Sequence, residues 1–219
     1  MKTNSEIRQE TKALMKGNWG AGVGICLLLL LFSCTASIFG SIINILAGEN
    51  AIVLKLIGEL ISSLASILLI YPISFSLMMM FLHFVRNEEK LHVGGLFKGF
   101  SKTYYGKSIG LNLLMVIFTF LWSLLFIIPG LIKSLAYSLA PYILADNPEL
   151  SANEAINQSV KMMKGYKGKL FLMLLGYFGL GMVSIIFFCI PLLWLVPYYH
   201  AVLAKFYEEV KAEYNATAC

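Results

Sequence analysis

Residues 162–188 read MMKGYKGKLFLMLLGYFGLGMVSIIFF. A lysine-glycine step at Lys164-Gly165 is followed here by an apolar run from Leu170 to Phe188. About 20 apolar residues are what a helix needs to cross a bilayer. The segment therefore predicts a transmembrane helix that begins shortly after a basic step.

The same step occurs twice more, and each copy again precedes an apolar run. Lys16-Gly17 precedes the run 21–47, and Lys98-Gly99 precedes the run 110–128. A second apolar run follows each of the three, and each second run contains a proline beside an aromatic residue. These prolines lie in Tyr71-Pro72-Ile73, Pro141-Tyr142-Ile143 and Pro197-Tyr198-Tyr199. Two landmarks that recur in one order predict a threefold internal repeat.

The repeat predicts an all-α, polytopic membrane bundle. Its six transmembrane helices would form three repeated hairpins, in units of roughly 1–90, 91–150 and 151–219, within a single integral membrane domain, 1–219. The expected turns are Gly48-Glu49-Asn50, Pro129-Gly130 and Cys189-Ile190-Pro191.

A short amphipathic helix is predicted before each hairpin, at the membrane interface. The pairs Thr3/Glu6 and Ser151/Glu154 have the spacing of capping boxes, which start helices. Val93, Leu96, Phe97 and Phe100 follow the i, i+3, i+4, i+7 pattern of one apolar helix face.

Composition favours a membrane protein over a nucleic-acid-binding one. The 219 residues are 58% hydrophobic and 13% charged, with a mean hydropathy of +0.77, whereas soluble domains are about 25% charged. The net charge of +5 comes from residues at the ends of apolar runs, where topology signals lie. We therefore expect a lipid bilayer, and no nucleic acid, as the surroundings of this chain.

The basic residues also predict an orientation. Fifteen of the 17 lie on one side of the predicted spans, with Lys55 and Lys133 as the exceptions. Because basic loops stay in the cytoplasm, both termini are expected there. The expected location is a multi-pass protein of a bacterial cytoplasmic membrane.

One stretch carries a family resemblance. Ala140-Pro141-Tyr142-Ile143-Leu144-Ala145-Asp146-Asn147-Pro148, continued by residues 151–169, resembles a family of bacterial integral membrane proteins known as domain of unknown function 975. The start, from Ile7-Arg8 to Lys16-Gly17-Asn18-Trp19, is similar to the start of that family. The chain is also loosely similar to the membrane domain of some glycerophosphodiester phosphodiesterases, without their catalytic barrel. The resemblance implies six membrane helices and no established activity.

Two sets of residues are candidate sites. Lys16, Gly17, Lys98, Gly99, Lys164 and Gly165 would form the first, in which three cations hold anionic lipid headgroups near backbone N–H groups. The plainer interpretation is topology signalling with lysine side chains that reach the interface.

Lys55, Glu59 and Lys133 are the second set. Lys55 and Glu59 are four residues apart, on one helix face, and Lys133 is expected at a similar depth. Ionisable groups inside a bilayer are costly and often functional, so these three predict either an outer polar pocket or a structural pair near the surface.

No sequence motif indicates catalysis, a cofactor or a metal. We expect a non-enzymatic scaffold or accessory protein that engages anionic phospholipid, a partner membrane protein or a second copy of itself. The alternative is a small transporter or channel for a lipid or amphiphilic solute, and a membrane-embedded lipid-modifying enzyme is a more remote one.

Overall fold

The computed structural model describes residues 2–47, 52–186 and 190–218, which are mostly helical and contain no strand. The predicted all-α class is therefore confirmed. Two of the predicted turns, 48–50 and 189–191, fall wholly or partly outside these residues. The helices in chain order are α1 (Asn4–Met15), α2 (Trp19–Ala47), α3 (Ile52–Val85), a 3-10 helix (Val93–Phe100), α4 (Tyr105–Leu125), α5 (Ile127–Tyr137), α6 (Ala140–Asp146), α7 (Ala152–Met162), α8 (Lys167–Ile186) and α9 (Leu192–Ala218).

Several helices are long and apolar enough to cross a membrane. Among the described residues these are α3, α4, the pair α5–α6 taken together, and α8. The pair α1–α2, bent by 95° at its break, makes a fifth if it counts as one span. Large apolar side chains lie on their outer surfaces, as with Phe120 at 64% exposure and Leu124 at 73%. Apolar surface on this scale is typical of a helical membrane protein.

The predicted turn at Pro129-Gly130 is wrong, because both residues lie inside α5. The chain turns instead at Phe126, whose extended backbone separates α4 from α5. Pro129 is accommodated since the first turn of a helix has N–H groups without intrahelical partners. Gly130 lets α5 approach α4, because a Cβ there would overlap Ser123.

Residues 93–100, predicted as a short interfacial helix, form a 3-10 helix and not an α-helix. This segment is a 3-10 helix that buries Gly95, Leu96 and Gly99 against α3, while Val93 and Phe97 are about half exposed. A 3-10 helix has three residues per turn, so the four apolar residues do not share one face here, and the position of this helix at a membrane interface stays a prediction.

The core lies where α3, α6 and α9 meet. Phe81, Tyr142 and Phe206 come one from each of these helices, and all three are fully buried. The rings of Tyr142 and Tyr207 stack with their centroids 5.3 Å apart. Large side chains therefore fill the space between the three helices.

Each short helix packs against a long helix that precedes it in the chain or, for α1, against the last one. The 3-10 helix packs on α3, α7 packs on α4, α5 and α6, and α1 packs on α9. Both predicted capping boxes, Thr3/Glu6 and Ser151/Glu154, are present at the starts of α1 and α7. The short helices lie at one end of the bundle, which we call the basic end.

Candidate functional site

Two of the three lysine-glycine steps have the same geometry. Gly17 and Gly165 follow the ends of α1 and α7 and have φ of 89° and 90°, a left-handed conformation that favours glycine. The residue after each glycine donates its N–H to the methionine two residues before that glycine, Met15 or Met163. The two steps are thus the same turn, which re-aims the chain into the next long helix.

The third step is different. Gly99 is buried, and its N–H donates to the Ser76 hydroxyl oxygen of α3 at 2.6 Å. The Ser76 hydroxyl in turn donates to the carbonyl oxygen of Pro72 at 2.8 Å. The Gly99 N–H therefore has a partner already, so the expected approach of a phosphate to this N–H does not fit.

The lysines of the three steps also differ, because only Lys98 has an ion-pair partner among the described residues. The Lys98 ammonium lies 2.6 Å from Glu89, and this hydrogen bond lowers the pKa of the Glu89 carboxyl. Lys16 and Lys164 are exposed, and neither has an ion-pair partner within the part of the chain that the structure describes. Lys16 and Lys164 are therefore unpaired cations on matching turns, whereas Lys98 is paired. Binding of lipid headgroups by the three lysines stays a prediction.

The residues of the predicted outer pocket are found on two helices. Lys55 and Glu59 lie on α3, and Lys133 lies on α5 with its ammonium 4.4 Å from the centre of the Trp122 ring. A cation over an indole face is a favourable contact that needs no ligand. The outer pocket itself stays a prediction.

A cluster that sequence analysis missed joins three helices at the basic end. It consists of Arg86 after α3, Asp146 at the end of α6, and Tyr207, Glu208 and Lys211 on α9; we call it the ionic cluster. Arg86 donates two hydrogen bonds to the Asp146 carboxylate, each 2.8 Å long. Its Nε and one terminal nitrogen also reach Glu208 at 3.0 and 2.6 Å.

Asp146 is the centre of this cluster. One of its carboxylate oxygens also accepts from the Tyr207 hydroxyl and from the Lys211 ammonium, both at 2.6 Å. Its side chain is only 9% exposed. The hydrogen bonds to Asp146 raise the pKa of Arg86 above its ordinary value, so the guanidinium stays charged. Paired fork geometry of this kind is strong and directional.

The sequence contains a signal that could have identified this cluster. Arg86 and Asp146 each follow directly on an apolar run, and Asp146 is an acid on the side where bases predominate. The position of Arg86 at the end of an apolar run predicts only a topology signal, since pairing between residues 60 positions apart cannot be read from spacing.

A second polar group lies deeper in the bundle. The hydroxyls of Tyr142 and Tyr177 and Nδ1 of His200 are buried without a hydrogen-bond partner among the described residues. His200 stacks on Phe81, with ring centroids 5.7 Å apart. Arg8 of α1 lies over the Tyr177 ring at 5.4 Å and donates to the carbonyl oxygen of Met173.

These features are typical of an all-helical membrane protein, here with short helices docked at the basic end. The family model described as "Protein of unknown function (DUF975)" matches residues 1–133 and 125–214. The chain belongs to this family, as the sequence resemblance implied. No curated protein and no solved structure matches the chain. In residues 2–47, 52–186 and 190–218, no three His, Cys, Asp or Glu side chains are placed to hold a metal ion.

Proposed function

We propose that the chain forms a closed ring of three hairpins with six membrane spans in a bacterial cytoplasmic membrane, and that both termini are cytoplasmic. The order short helix, long helix, long helix occurs three times along the chain, if α5 and α6 count as one long helix. The 3-10 helix and α7 dock on the hairpin before their own, and α1 docks on the third hairpin. This cyclic pattern supports three equivalent units.

Reporter fusions test this topology. A fusion at Asn50 and a fusion after Cys219 are expected to report opposite sides of the membrane. The same side for both would contradict the six-span arrangement.

The role that we propose is non-enzymatic: a membrane scaffold or accessory protein that engages anionic phospholipid or a partner membrane protein. The filled core carries this proposal. Phe81, Tyr142 and Phe206 occupy the space between the three central helices, where a conduit would need open polar volume. A solid bundle with apolar outer faces is suited to packing against lipid or other helices.

Lys16 and Lys164 supply the contact with lipid in this proposal. Both are exposed cations at helix ends on the basic side, where anionic headgroups lie. A basic residue near such a surface contributes about 1 kcal/mol. Lys98 contributes less, because Glu89 already neutralises it.

The test is retention of phosphatidylglycerol by the purified protein, measured by native mass spectrometry. Lys16→Gln and Lys164→Gln together are expected to lower retention markedly, whereas Lys98→Gln serves as the matched control and changes it little. Equal retention of phosphatidylglycerol and phosphatidylcholine by the unaltered protein would refute the lipid-binding role.

Transport of a lipid or amphiphilic solute is the second candidate. The unpartnered hydroxyls of Tyr142 and Tyr177 and Nδ1 of His200 favour it, since buried polar atoms in a membrane body are costly unless they serve a path or bind water. Proteoliposomes that carry out lipid scrambling or solute uptake, lost in Tyr142→Phe, would favour transport over the scaffold.

A further inference from the structure

A lateral groove lies between α5 and α8, outside the sites described above. It has a volume of about 370 Å³, which is within the range of small-molecule sites. Its walls are Ile128, Leu131, Ile132 and Leu135 from α5, and Lys167, Gly168 and Phe171 from α8. The surface that lines the groove is wholly apolar, so Lys167 lines it with carbon atoms and not with its ammonium.

The groove faces the surroundings of the bundle. Ile128 is 71% exposed, Leu131 48% and Ile132 45%. It therefore opens on the same apolar surface that the membrane covers. A lipid can enter such a groove sideways from the bilayer.

The groove has a charged residue at only one of its ends. Lys167 is the first residue of α8, at the basic end, and the apolar lining continues along α5 to Ile128. Leu135 and Ile128 are seven residues apart, which is about 10 Å of helix. A cation at the interface with an apolar channel leading away from it matches a phosphate headgroup followed by an acyl chain.

Lys167 is available for this contact, whereas its neighbour is not. The Lys169 ammonium donates to the carbonyl oxygen of Lys2. Lys167 has no ion-pair or hydrogen-bond partner for its ammonium within the described ranges. Next to it, a Cβ built on Gly168 would meet no atom within 4 Å, so this wall of the groove is open down to the backbone.

We propose that this groove binds one anionic phospholipid, with the phosphate on Lys167 and an acyl chain between α5 and α8. The proposal deepens the proposed lipid-binding role and rests on it. It differs in its residues, because Lys16 and Lys164 lie on helix-end turns and line no part of this groove.

The test uses the full chain in phosphatidylcholine nanodiscs doped with phosphatidylglycerol that has a photoreactive group in its acyl chain. Peptide mass spectrometry is expected to find labelling at Leu131, Leu135 and Phe171 above that at Leu124, an exposed residue of α4. Lys167→Gln should lower the groove labelling about fivefold, the factor equivalent to about 1 kcal/mol for one cation. Inorganic phosphate should not compete, since it lacks the acyl chain.

Two matched controls separate charge from shape. Lys102→Gln removes an exposed cation away from the groove and should leave groove labelling unchanged. Leu131→Trp fills the groove and should abolish labelling there, whereas Leu124→Trp should not.

The outcomes distinguish this inference from the proposed function. Groove labelling by photoreactive phosphatidylglycerol that equals labelling by photoreactive phosphatidylcholine, or that is unchanged in Lys167→Gln, overturns the groove site. It does so even if the Lys16 and Lys164 variants lose lipid in mass spectrometry. If Leu131→Trp instead converts a dimer to a monomer with lipid labelling unchanged, a second copy occupies the groove and the lipid assignment is wrong.

Discussion

The Asp146 carboxylate links α6 to the end of α3 and to α9. Arg86, Tyr207 and Lys211 all donate to it, and its side chain is almost fully buried. Removing one partner from such a group leaves the others desolvated and unpaired, which costs more than the pair itself contributes.

Asp146→Asn is therefore expected to lower the free energy of unfolding by about 2–3 kcal/mol, measured by denaturant titration in lipid nanodiscs. Glu89→Gln is the control, since the Glu89–Lys98 pair is 40% and 36% exposed and pairs of this kind contribute about 0–1 kcal/mol. Equal stability of the two variants would show that the ionic cluster does not hold the bundle together.

Glycine has two different roles in the lysine-glycine steps. At Gly99 there is no room, because a Cβ would overlap the Pro72 carbonyl oxygen and lie 2.5 Å from the Ser76 hydroxyl oxygen. At Gly17 there is room, but the φ of 89° disfavours any other residue.

Alanine substitutions separate these roles. Gly99→Ala should displace the 3-10 helix from α3 and cost about 1–3 kcal/mol, and Gly17→Ala should cost about 1–2 kcal/mol. Gly106→Ala, at an open position inside α4, should be neutral or stabilising by up to about 1 kcal/mol. Thermal unfolding of the three variants measures this order, and a Gly99→Ala protein as stable as Gly106→Ala would contradict the close packing.

Among the elements, the break between α5 and α6 depends on a neighbouring helix. The chain leaves helical pairing at Ser138 and Leu139, just before Pro141. Ser159 of α7 donates its hydroxyl to the Ala136 carbonyl oxygen at 2.7 Å and accepts the Leu139 N–H at 3.2 Å. One buried hydroxyl thus satisfies two backbone groups next to the break.

Ser159→Ala is expected to cost about 1–3 kcal/mol, because it leaves a buried donor and acceptor unpaired. Hydrogen exchange at the Leu139 amide should rise at the same time. Ser134→Ala, which removes an exposed hydroxyl from α5, is the control and should change stability by about 0.5 kcal/mol or less. Unchanged protection of Leu139 in Ser159→Ala would refute this role.

At the scale of the whole molecule, contacts between α1 and α9 join distant parts of the chain. Ile7 of α1 is fully buried, and α1 packs on α9 near the other end of the sequence. The Tyr198 hydroxyl of α9 donates to the Arg8 carbonyl oxygen at 2.9 Å. In the proposed ring of three hairpins, α1 joins the third hairpin to the first as α7 joins the second to the third. The two helices should therefore contribute similar amounts to stability.

Ile7→Ala and Ile156→Ala are therefore expected to cost similar amounts, about 2–4 kcal/mol each, since both side chains are buried. Ile117→Ala is the control on the outer side of α4, where Ile117 is 42% exposed, and should cost less than either. Denaturant titration gives all three values. A cost for Ile7→Ala no larger than that for Ile117→Ala would mean that α1 does not close the bundle.

Local signals in the sequence determined the helices, both capping boxes and the apolar surface, because each depends on residues a few positions apart. They did not determine the turn at Phe126, because a proline is tolerated in the first turn of a helix. They also did not determine that residues 93–100 form a 3-10 helix. Only the tertiary structure distinguished Gly99 from Gly17 and Gly165, and only it brought Arg86, Asp146 and Lys211 together. The physical reason is that packing and ion pairing depend on distance in space, and spacing along the chain does not encode that distance.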